Sequence, residues 1–386
     1  MQTPRSAATS LPSVLEPAHA LAIANSHERS RAFGLREHEA PDLSLLSRAE
    51  LHLARQRNHR LCEQALPVMV MLWEQICHTQ STVVLSDAQG TVLHVLGDAV
   101  FLNRAHRVAL AQGAVWSEAS KGTNAIGTAL IEEKPTLVHA REHFLRSNQF
   151  LTCSASPIFD HAGRVLGVID VSGDHRSYHP HTLALARMSA RLIENQWFTD
   201  RFRSGLKLHL HASPHGLGTV QEGLVAIDSD GRILGANRCA LDMLGRNALR
   251  LRHEGLESIF GVSLSQMVDH ARLSGDSPMN LVFDAEAASQ VVVCAMLSGD
   301  AIGTGPIAIT PGPMGRAPAP VVAGSVAAAP PSRTAPAVTT LRERESEAIR
   351  QAVDAAGGNL SQAARALGIA RSTLYRKMHS QAELHR

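Results

Sequence analysis

The sequence predicts an α+β region of two sheet-containing modules, followed by a separate all-α helix-turn-helix. Alternating apolar segments recur as strand-turn-strand units, and segments of helical periodicity bracket them, which indicates the α+β part. Residues 301–340 then hold eight of the 18 prolines together with many alanines. Because such a segment buries too little apolar surface to fold alone, we interpret 301–340 as an extended linker.

The first module is predicted over residues 55–201, after an N-terminal helical segment at 1–54. Strands at 81–87 and 91–96 flank the turn 88–90, and strands at 153–160 and 164–172 flank the turn 161–163. Helices at 63–78 and 181–198 bracket these two hairpins. The apolar stripe of the second helix is Leu185, Met188, Leu192 and Ile193.

A second, smaller module is predicted over residues 217–300. Strands at 223–228 and 232–237 flank the turn 229–231, and a short helix follows at 240–244. Further strands are indicated at 281–283 and 290–296. Because no chemistry-bearing motif stands out there, we expect this module to serve in dimerisation or signal relay.

The segment 341–386 is predicted to form the helix-turn-helix. An apolar stripe from Leu360 to Leu367 indicates the first helix of the pair, Asn359 is a good N-cap, and Gly368 ends the helix. The second helix turns outward the cations and hydroxyls that contact base edges and phosphates in a DNA groove. They are Arg371, Ser372, Thr373, Tyr375, Arg376 and Lys377. We therefore predict binding to double-stranded DNA; the alternative is an ordinary three-helix cap with a solvated basic face.

Composition limits the remaining function classes. The net charge of +2 over 386 residues gives no general preference for nucleic acid, so that preference has to come from a local patch. The segment from Leu341 onwards supplies one, with eight Lys or Arg against five Asp or Glu. The five cysteines form no Cys-x-x-Cys pair, and the longest apolar run, Ala65 to Trp73, is too short to span a membrane. We expect a cytoplasmic protein without a membrane partner.

The patterns typical of enzymes and metal sites are missing from the sequence. None of the four lysines lies in a Gly-x-x-x-x-Gly-Lys-Ser/Thr phosphate loop, and there is no Gly-x-Ser-x-Gly elbow. Two groups of histidines lie at module edges, without Cys or carboxylate partners at helical spacing. These groups are His175, His179 and His181, and His209, His211 and His215. We predict no enzymatic activity, no cofactor and no metal site.

Residues 357–378 closely resemble the Fis-type helix-turn-helix of bacterial enhancer-binding proteins and of the nucleoid protein Fis. The resemblance implies that Arg371 contacts a base and that the chain forms a homodimer through the first of the three helices. It further implies phosphate contacts by Ser361, Thr373, Arg376 and Lys377. Ala370 replaces a polar base contact of the nucleoid protein, so a different DNA sequence should be read.

Four other segments resemble the sensor region of the acetoin-regulator (AcoR-like) family of sigma-54-dependent activators. They are Asn25–Ser30, Trp116–Leu130, Glu142–Phe144 and Thr152–Ile158. The resemblance implies a GAF domain that encloses a small-molecule effector. Residues 217–300 resemble, more weakly, the opening of a PAS domain.

The GAF resemblance makes Trp116, His143 and Cys153 candidates for the wall of the effector pocket. Two alternatives stay open: Trp116 and Cys153 are ordinary core residues, or Cys153 is a redox sensor whose pKa is lowered by His143.

The AcoR-like family usually carries an ATPase domain between the sensor and the helix-turn-helix, where this sequence has the linker 301–340. We therefore predict a DNA-binding transcriptional regulator that responds to a small molecule and has no ATPase activity of its own. The alternatives are an antagonist or partner of a full-length sigma-54 activator, with RNA polymerase as a further partner, and a ligand sensor that acts through protein contacts.

Overall fold

The structure is a computed structural model that describes residues 16–77, 79–275, 277–284, 290–299 and 362. Within these residues lie two five-stranded antiparallel sheets, both in one compact unit. The predicted linker and the helix-turn-helix, residue 362 excepted, lie outside the described residues. The predictions for Ser361, Arg371, Ser372, Thr373, Tyr375, Arg376 and Lys377 therefore stay predictions.

The first sheet is preceded by three helices, has three more helices between its strands, and is followed by one long helix. In chain order the elements are α1 (Glu16–Ala32), α2 (Arg48–Arg57), α3 (His59–Ile76), β1 (Ser81–Asp87), β2 (Val92–Gly97), α4 (Ala99–Ala105), α5 (Glu118–Lys121), α6 (Ala125–Glu132), β3 (Thr136–His139), β4 (Leu151–Phe159), β5 (Val165–Asp174) and α7 (Thr182–Arg201). The strand order is β2-β1-β5-β4-β3, so both predicted hairpins are present. The long-range pairing of β1 with β5 joins them at the centre of the sheet.

Helices cover the first sheet on both faces. On one face, α3 and α7 pack against alternate strand residues such as Ile169 and Val171. On the opposite face, α4, α6 and Trp116 pack against Val84, Ala155 and their neighbours. The predicted stripe of α7 is wrong at Met188, which is 50% exposed. The buried face of α7 instead carries small side chains such as Ala186 and Ala190, which let the helix approach the sheet closely.

The second sheet belongs to the smaller module. Its elements are β6 (Leu206–His211), β7 (Gly223–Ile227), β8 (Ile233–Ala236), α8 (Arg238–Leu244), α9 (Ala248–Leu251), α10 (Leu256–Phe260), α11 (Leu264–Ser274), β9 (Met279–Asp284) and β10 (Gln290–Ser298). The strand order is β8-β7-β6-β10-β9. The predicted start at residue 217 is therefore too late, because β6 is the central strand. The alternation Leu-Lys-Leu-His-Leu-His in β6 buries Leu208 and Leu210 against the helices. Because histidines lie between these leucines, the sequence analysis took this segment for the edge of a module and not for a strand.

The carboxyl-terminal half of α7 joins the two sheets. Phe198 and Phe202 pack on Leu224 and Ala226 of the second sheet. Beside this apolar contact, Asn237 Nδ2 donates to Asn195 Oδ1 of α7 at 2.7 Å. One helix therefore contacts both sheets.

Candidate functional site

Two of the predicted pocket residues lie in the same buried cluster on the α6 face of the first sheet. Trp116 is 1% exposed, and its Nε1 donates to the carbonyl oxygen of Ala109 at 2.8 Å. Cys153 points to this face from β4. The positions fit both a pocket wall and an ordinary core, so the assignment of Trp116 and Cys153 to an effector pocket stays a prediction.

His143, the third predicted pocket residue, is buried in the turn after β3. Its Nδ1 donates to the carbonyl oxygen of Ala140 at 3.1 Å, while Nε2 has no partner among the described residues. Burial lowers the pKa of His143 to about 4, so the imidazole is neutral at neutral pH. No hydrogen bond or ion pair within the described part of the chain joins His143 to Cys153.

The interpretation of Cys153 as a redox sensor with a lowered pKa is wrong. Burial, together with the negative charge of Asp170, raises the pKa of the Cys153 thiol well above its ordinary value. A neutral His143 supplies no positive charge to offset these effects. The thiol is therefore held in its unreactive protonated form.

A polar row crosses the otherwise apolar α6 face of the sheet. Ser172 Oγ donates to Asp170 Oδ2 at 2.5 Å and lies 3.0 Å from Cys153 Sγ. The other carboxyl oxygen, Asp170 Oδ1, has no hydrogen-bond partner among the described residues, and neither has Ser86 Oγ on β1. Asp170 is 1% exposed and Ser86 is 0% exposed. Burial raises the pKa of Asp170 to about 7.

The N-terminal helix α1 docks beside this cluster through buried polar contacts. Arg29 donates to both carboxylate oxygens of Glu118, at 2.7 and 2.9 Å, and Ser26 donates to the same carboxylate at 2.6 Å. The side chain of Glu118 is 0% exposed. Thr123 and Thr128 extend the network on α6 and the turn before it. Two distant sequence segments, 25–30 and 117–130, thus form one polar contact.

Two residues in the 117–130 segment explain how α5 and α6 come so close to each other. A Cβ at Gly127 would lie 2.7 Å from the backbone nitrogen of Glu118 and 2.9 Å from the carbonyl oxygen of Trp116. Asn124 caps α6 by accepting a hydrogen bond from the Gly127 nitrogen at 2.8 Å. The glycine therefore permits the backbone approach that seats Glu118 under α1.

The histidines considered for metal binding are engaged elsewhere or exposed. His209 is buried, with Nδ1 3.0 Å from Glu222 Oε2 and Nε2 2.9 Å from Ser298 Oγ. This Ser-His-Glu row links β10, β6 and the segment before β7, and Ser298 is only 5% exposed. Across the described ranges, no group of three or more His, Cys, Asp or Glu side chains is placed to hold a metal ion.

None of the described helices combines the length and apolar character needed to cross a bilayer.

Sequence reasoning missed the buried polar row of Ser86, Asp170 and Ser172. A signal existed, because Asp170 and Ser172 interrupt the apolar alternation that Val168 begins on the buried face of β5. Arg29 and Glu118 lie in two segments that the sequence analysis singled out, Asn25–Ser30 and Trp116–Leu130. The contact between the two side chains is seen only in the fold.

Two family models match the chain. The one described as "MimR, N-terminal domain" matches residues 2–195, and the one described as "Bacterial regulatory protein, Fis family" matches residues 340–379. The second lies on the segment predicted to form the helix-turn-helix.

Three similar curated proteins are named as regulatory proteins. The acetoin catabolism regulatory protein of Cupriavidus necator is 30% identical over 275 residues, which cover 69% of this chain and 41% of that protein. The propane 2-monooxygenase operon transcriptional activator MimR of Mycolicibacterium smegmatis is 34% identical over 187 residues, 47% of this chain and 30% of the relative. A signal-transduction and transcriptional-control protein of Clostridium beijerinckii is 28% identical over 237 residues, 61% of this chain and 38% of the relative.

Among solved structures, the complex of DhaR(N) with DhaL from E. coli is similar with a TM-score of 0.45 and 15% identity, covering 72% of this chain and 99% of that one. The chain spans about two fifths or less of the length of these curated relatives. Because the first family model spans half of its residues, the chain belongs to the family of the MimR N-terminal domain.

Proposed function

We propose that the chain is a cytoplasmic transcriptional regulator that binds specific DNA sequences and responds to a small-molecule effector. The observation that carries this proposal is the presence of both family matches in one chain, a MimR N-terminal domain at 2–195 and a Fis family segment at 340–379. Two similar proteins are named as an acetoin catabolism regulatory protein and as a propane 2-monooxygenase operon transcriptional activator.

The DNA contacts follow from the predicted recognition helix. In this proposal Arg371 reads a base, and Ser361, Thr373, Arg376 and Lys377 hold phosphates, while Ser372 and Tyr375 lie at the same interface. A homodimer places two such helices about one helical turn apart on a palindromic site. Because each subunit adds a local charge of only +3 in this segment, affinity should come from specific contacts more than from general electrostatics.

The effector is proposed to bind in the first module, as a GAF-like sensor, with the second module as a PAS-like relay. A sheet covered by helices on both faces and crossed by buried polar side chains supports this reading. Since one relative is named for acetoin catabolism, small oxygenated metabolites are the first candidates.

We further propose that these 386 residues regulate transcription without hydrolysing ATP. The sequence has no Gly-x-x-x-x-Gly-Lys-Ser/Thr loop, and the Pro- and Ala-rich residues 301–340 directly precede the Fis family match. A regulator of this kind could occupy the sites of a full-length sigma-54 activator or pair with it, and so limit activation of RNA polymerase.

Substitutions on the recognition helix test the DNA-binding proposal. Arg371→Ala should weaken binding to a selected operator by about 1 to 3 kcal/mol and relax specificity at one position, because a base contact is lost. Arg376→Ala, the matched control, should weaken binding equally on all sequences, because it removes a phosphate contact. Fluorescence anisotropy on operator and random duplexes distinguishes the two. Unchanged operator binding by Arg371→Ala would contradict base reading by Arg371.

The proposal that the protein does not hydrolyse ATP has its own test. ATP turnover by the pure protein would contradict it.

A further inference from the structure

We propose that Ser86 and Asp170 anchor the effector, and that the effector is a small uncharged molecule carrying a hydroxyl group. The inference rests on the proposed sensing function and specifies its site. It assigns a role to two buried polar atoms that have no partner among the described residues, Asp170 Oδ1 and Ser86 Oγ.

The register of the sheet places these two side chains on one face. Val84 of β1 pairs with Asp170 of β5, and Ser86 pairs with Val168. Since alternate residues share a face, Ser86, Val84, Asp170 and Val168 all point toward α6. Ser86 and Asp170 are therefore diagonal neighbours, about 7 Å apart at Cβ. A single oxygen between them can accept from the Ser86 hydroxyl and donate to Asp170 Oδ1.

The free oxygen of Asp170 is held in a fixed position. Ser172 donates to Oδ2 at 2.5 Å, and this bond orients the carboxyl group so that Oδ1 is left to a further donor. Leaving a buried polar oxygen unpaired costs about 1 to 3 kcal/mol. A ligand hydroxyl that donates to Oδ1 of the ionised carboxylate recovers this free energy. Above the pKa of Asp170, about 7, a molecule with a hydroxyl is therefore favoured over one with only carbonyl or methyl groups.

The surroundings favour a molecule of few carbons without a charge. The nearest strand neighbours on this face are Ala155 and Val84, and α6 faces them with Ala125 and Ala129. These side chains are small and apolar. Lys121 of α5 lies over the Trp116 ring of the same cluster and donates to the carbonyl oxygen of Asp42, so it is already engaged. An anionic ligand would be desolvated beside a carboxyl group, at high cost.

A pair of four-carbon probes tests whether the ligand needs a hydroxyl group. Acetoin and butane-2,3-dione have the same carbon skeleton, but only acetoin carries a hydroxyl. Isothermal titration of the full chain is done at about pH 8, where Asp170 is mostly ionised. It should show saturable binding of acetoin, or of the further hydroxylated probes 2,3-butanediol and 2-propanol, and none of the dione. Lactate and ethanolamine serve as charged probes of similar size.

Substitutions at the two anchors complete the test. Ser86→Ala and Asp170→Ala should each weaken binding of the hydroxylated probe about tenfold or more, because each removes one hydrogen bond to the ligand. Ser156→Ala is the matched control, since Ser156 is also buried but points to the α3 and α7 face of the same sheet. It should bind the probe like the wild type. Thermal unfolding of each variant checks that Ser86→Ala, the milder change, remains folded.

Three results would overturn the inference: no binding of any hydroxylated probe at millimolar concentration, unchanged affinity in both anchor variants, or stronger binding of ethanolamine than of the neutral probes. Operator binding is measured on the same preparations without probe. Loss of sequence preference there contradicts the proposed regulator, whereas failure of the probes with intact operator binding contradicts only the anchor.

Discussion

Glu194 on α7 is a carboxyl group buried between the first sheet and its covering helix. Its Oε1 accepts a hydrogen bond from the backbone nitrogen of Phe159 at 2.8 Å. Burial raises the pKa of Glu194 to about 8, and that single hydrogen bond offsets only part of the effect. The group is therefore mostly protonated in the folded protein at neutral pH.

The raised pKa predicts that stability falls as pH rises from 6.5 to 8. The folded state keeps the proton of Glu194 up to about pH 8, while the unfolded chain releases it above the ordinary pKa of 4.5, so folding is disfavoured across that interval. Asp170, with a pKa of about 7, adds to the fall up to that point. His143 acts oppositely, but only below 6.5, where the unfolded chain gains a proton that the buried imidazole does not.

Urea unfolding at several pH values measures this effect. Glu194→Gln should largely flatten the fall between pH 6.5 and 8, because the amide does not titrate and can still accept from Phe159. Glu257→Gln, at an exposed position on α10, should leave the dependence of the free energy of unfolding on pH as in the wild type. Equal slopes in the wild type and Glu194→Gln would show that this carboxyl is already ionised in the folded state.

At the scale of elements, α1 differs from the other long helices because its docking is polar. The buried face of α3 carries residues such as Leu61, Val68 and Leu72, whereas α1 contacts the first module through Ser26, Arg29 and Ser30. Polar contacts of this kind depend on complete hydrogen bonding, so removing one member leaves its partner buried and unpaired.

Arg29→Ala should therefore destabilise the protein by about 3 to 5 kcal/mol, because the Glu118 carboxylate would stay buried without its counterion. Adding Glu118→Gln to this variant should recover part of the loss. Arg31→Ala is the matched control on the same helix: its partner Glu37 is 3.8 Å away and both side chains are about half exposed, so the cost should stay below about 1 kcal/mol. Denaturant unfolding gives the values, and equal losses for Arg29→Ala and Arg31→Ala would exclude a buried ion pair.

Local signals explain which elements the sequence predicts well. Both hairpins of the first sheet are found because strand, turn and strand are contiguous, as in the Asp87 to Thr91 turn. The pairing of β1 with β5 joins residues eighty or more positions apart, and no local pattern indicates it. β6 was missed because His209 and His211 occupy its second face, and Met188 was misplaced because apolar character alone does not identify the packed side of α7.

For the described molecule as a whole, Asn237 is a buried polar link between α7 and the second sheet. Its Oδ1 accepts from the backbone nitrogens of Leu224 and Ala240, both at 2.9 Å. Its Nδ2 donates to Asn195 of α7 and to the carbonyl oxygen of Glu222. One side chain thus caps α8, holds β7 and joins both to the helix that covers the first sheet.

Asn237→Ala should loosen the second module selectively. We expect a loss of about 2 kcal/mol, from the helix cap together with buried groups left unpaired. Hydrogen exchange should show faster exchange of the Leu224 and Ala240 amides, with β4 and β5 unchanged. Asn247→Ala, which removes only the cap of α9, should affect the segment around Arg250 alone. Equal loss of protection in both sheets would mean that they unfold as one cooperative unit.

The sequence by itself determined the α+β character of the N-terminal region, both hairpins of the first sheet, and the Fis-type segment that the family comparison also finds. Periodicity and turn chemistry act between neighbouring residues, so they can be read directly from the order of amino acids. The tertiary structure decided that Ser86 and Asp170 share one face of the sheet, that Arg29 reaches Glu118, and that burial raises the pKa of the Cys153 thiol. These properties depend on strand register, burial and the charges of distant residues, which are fixed only when the sheets pack.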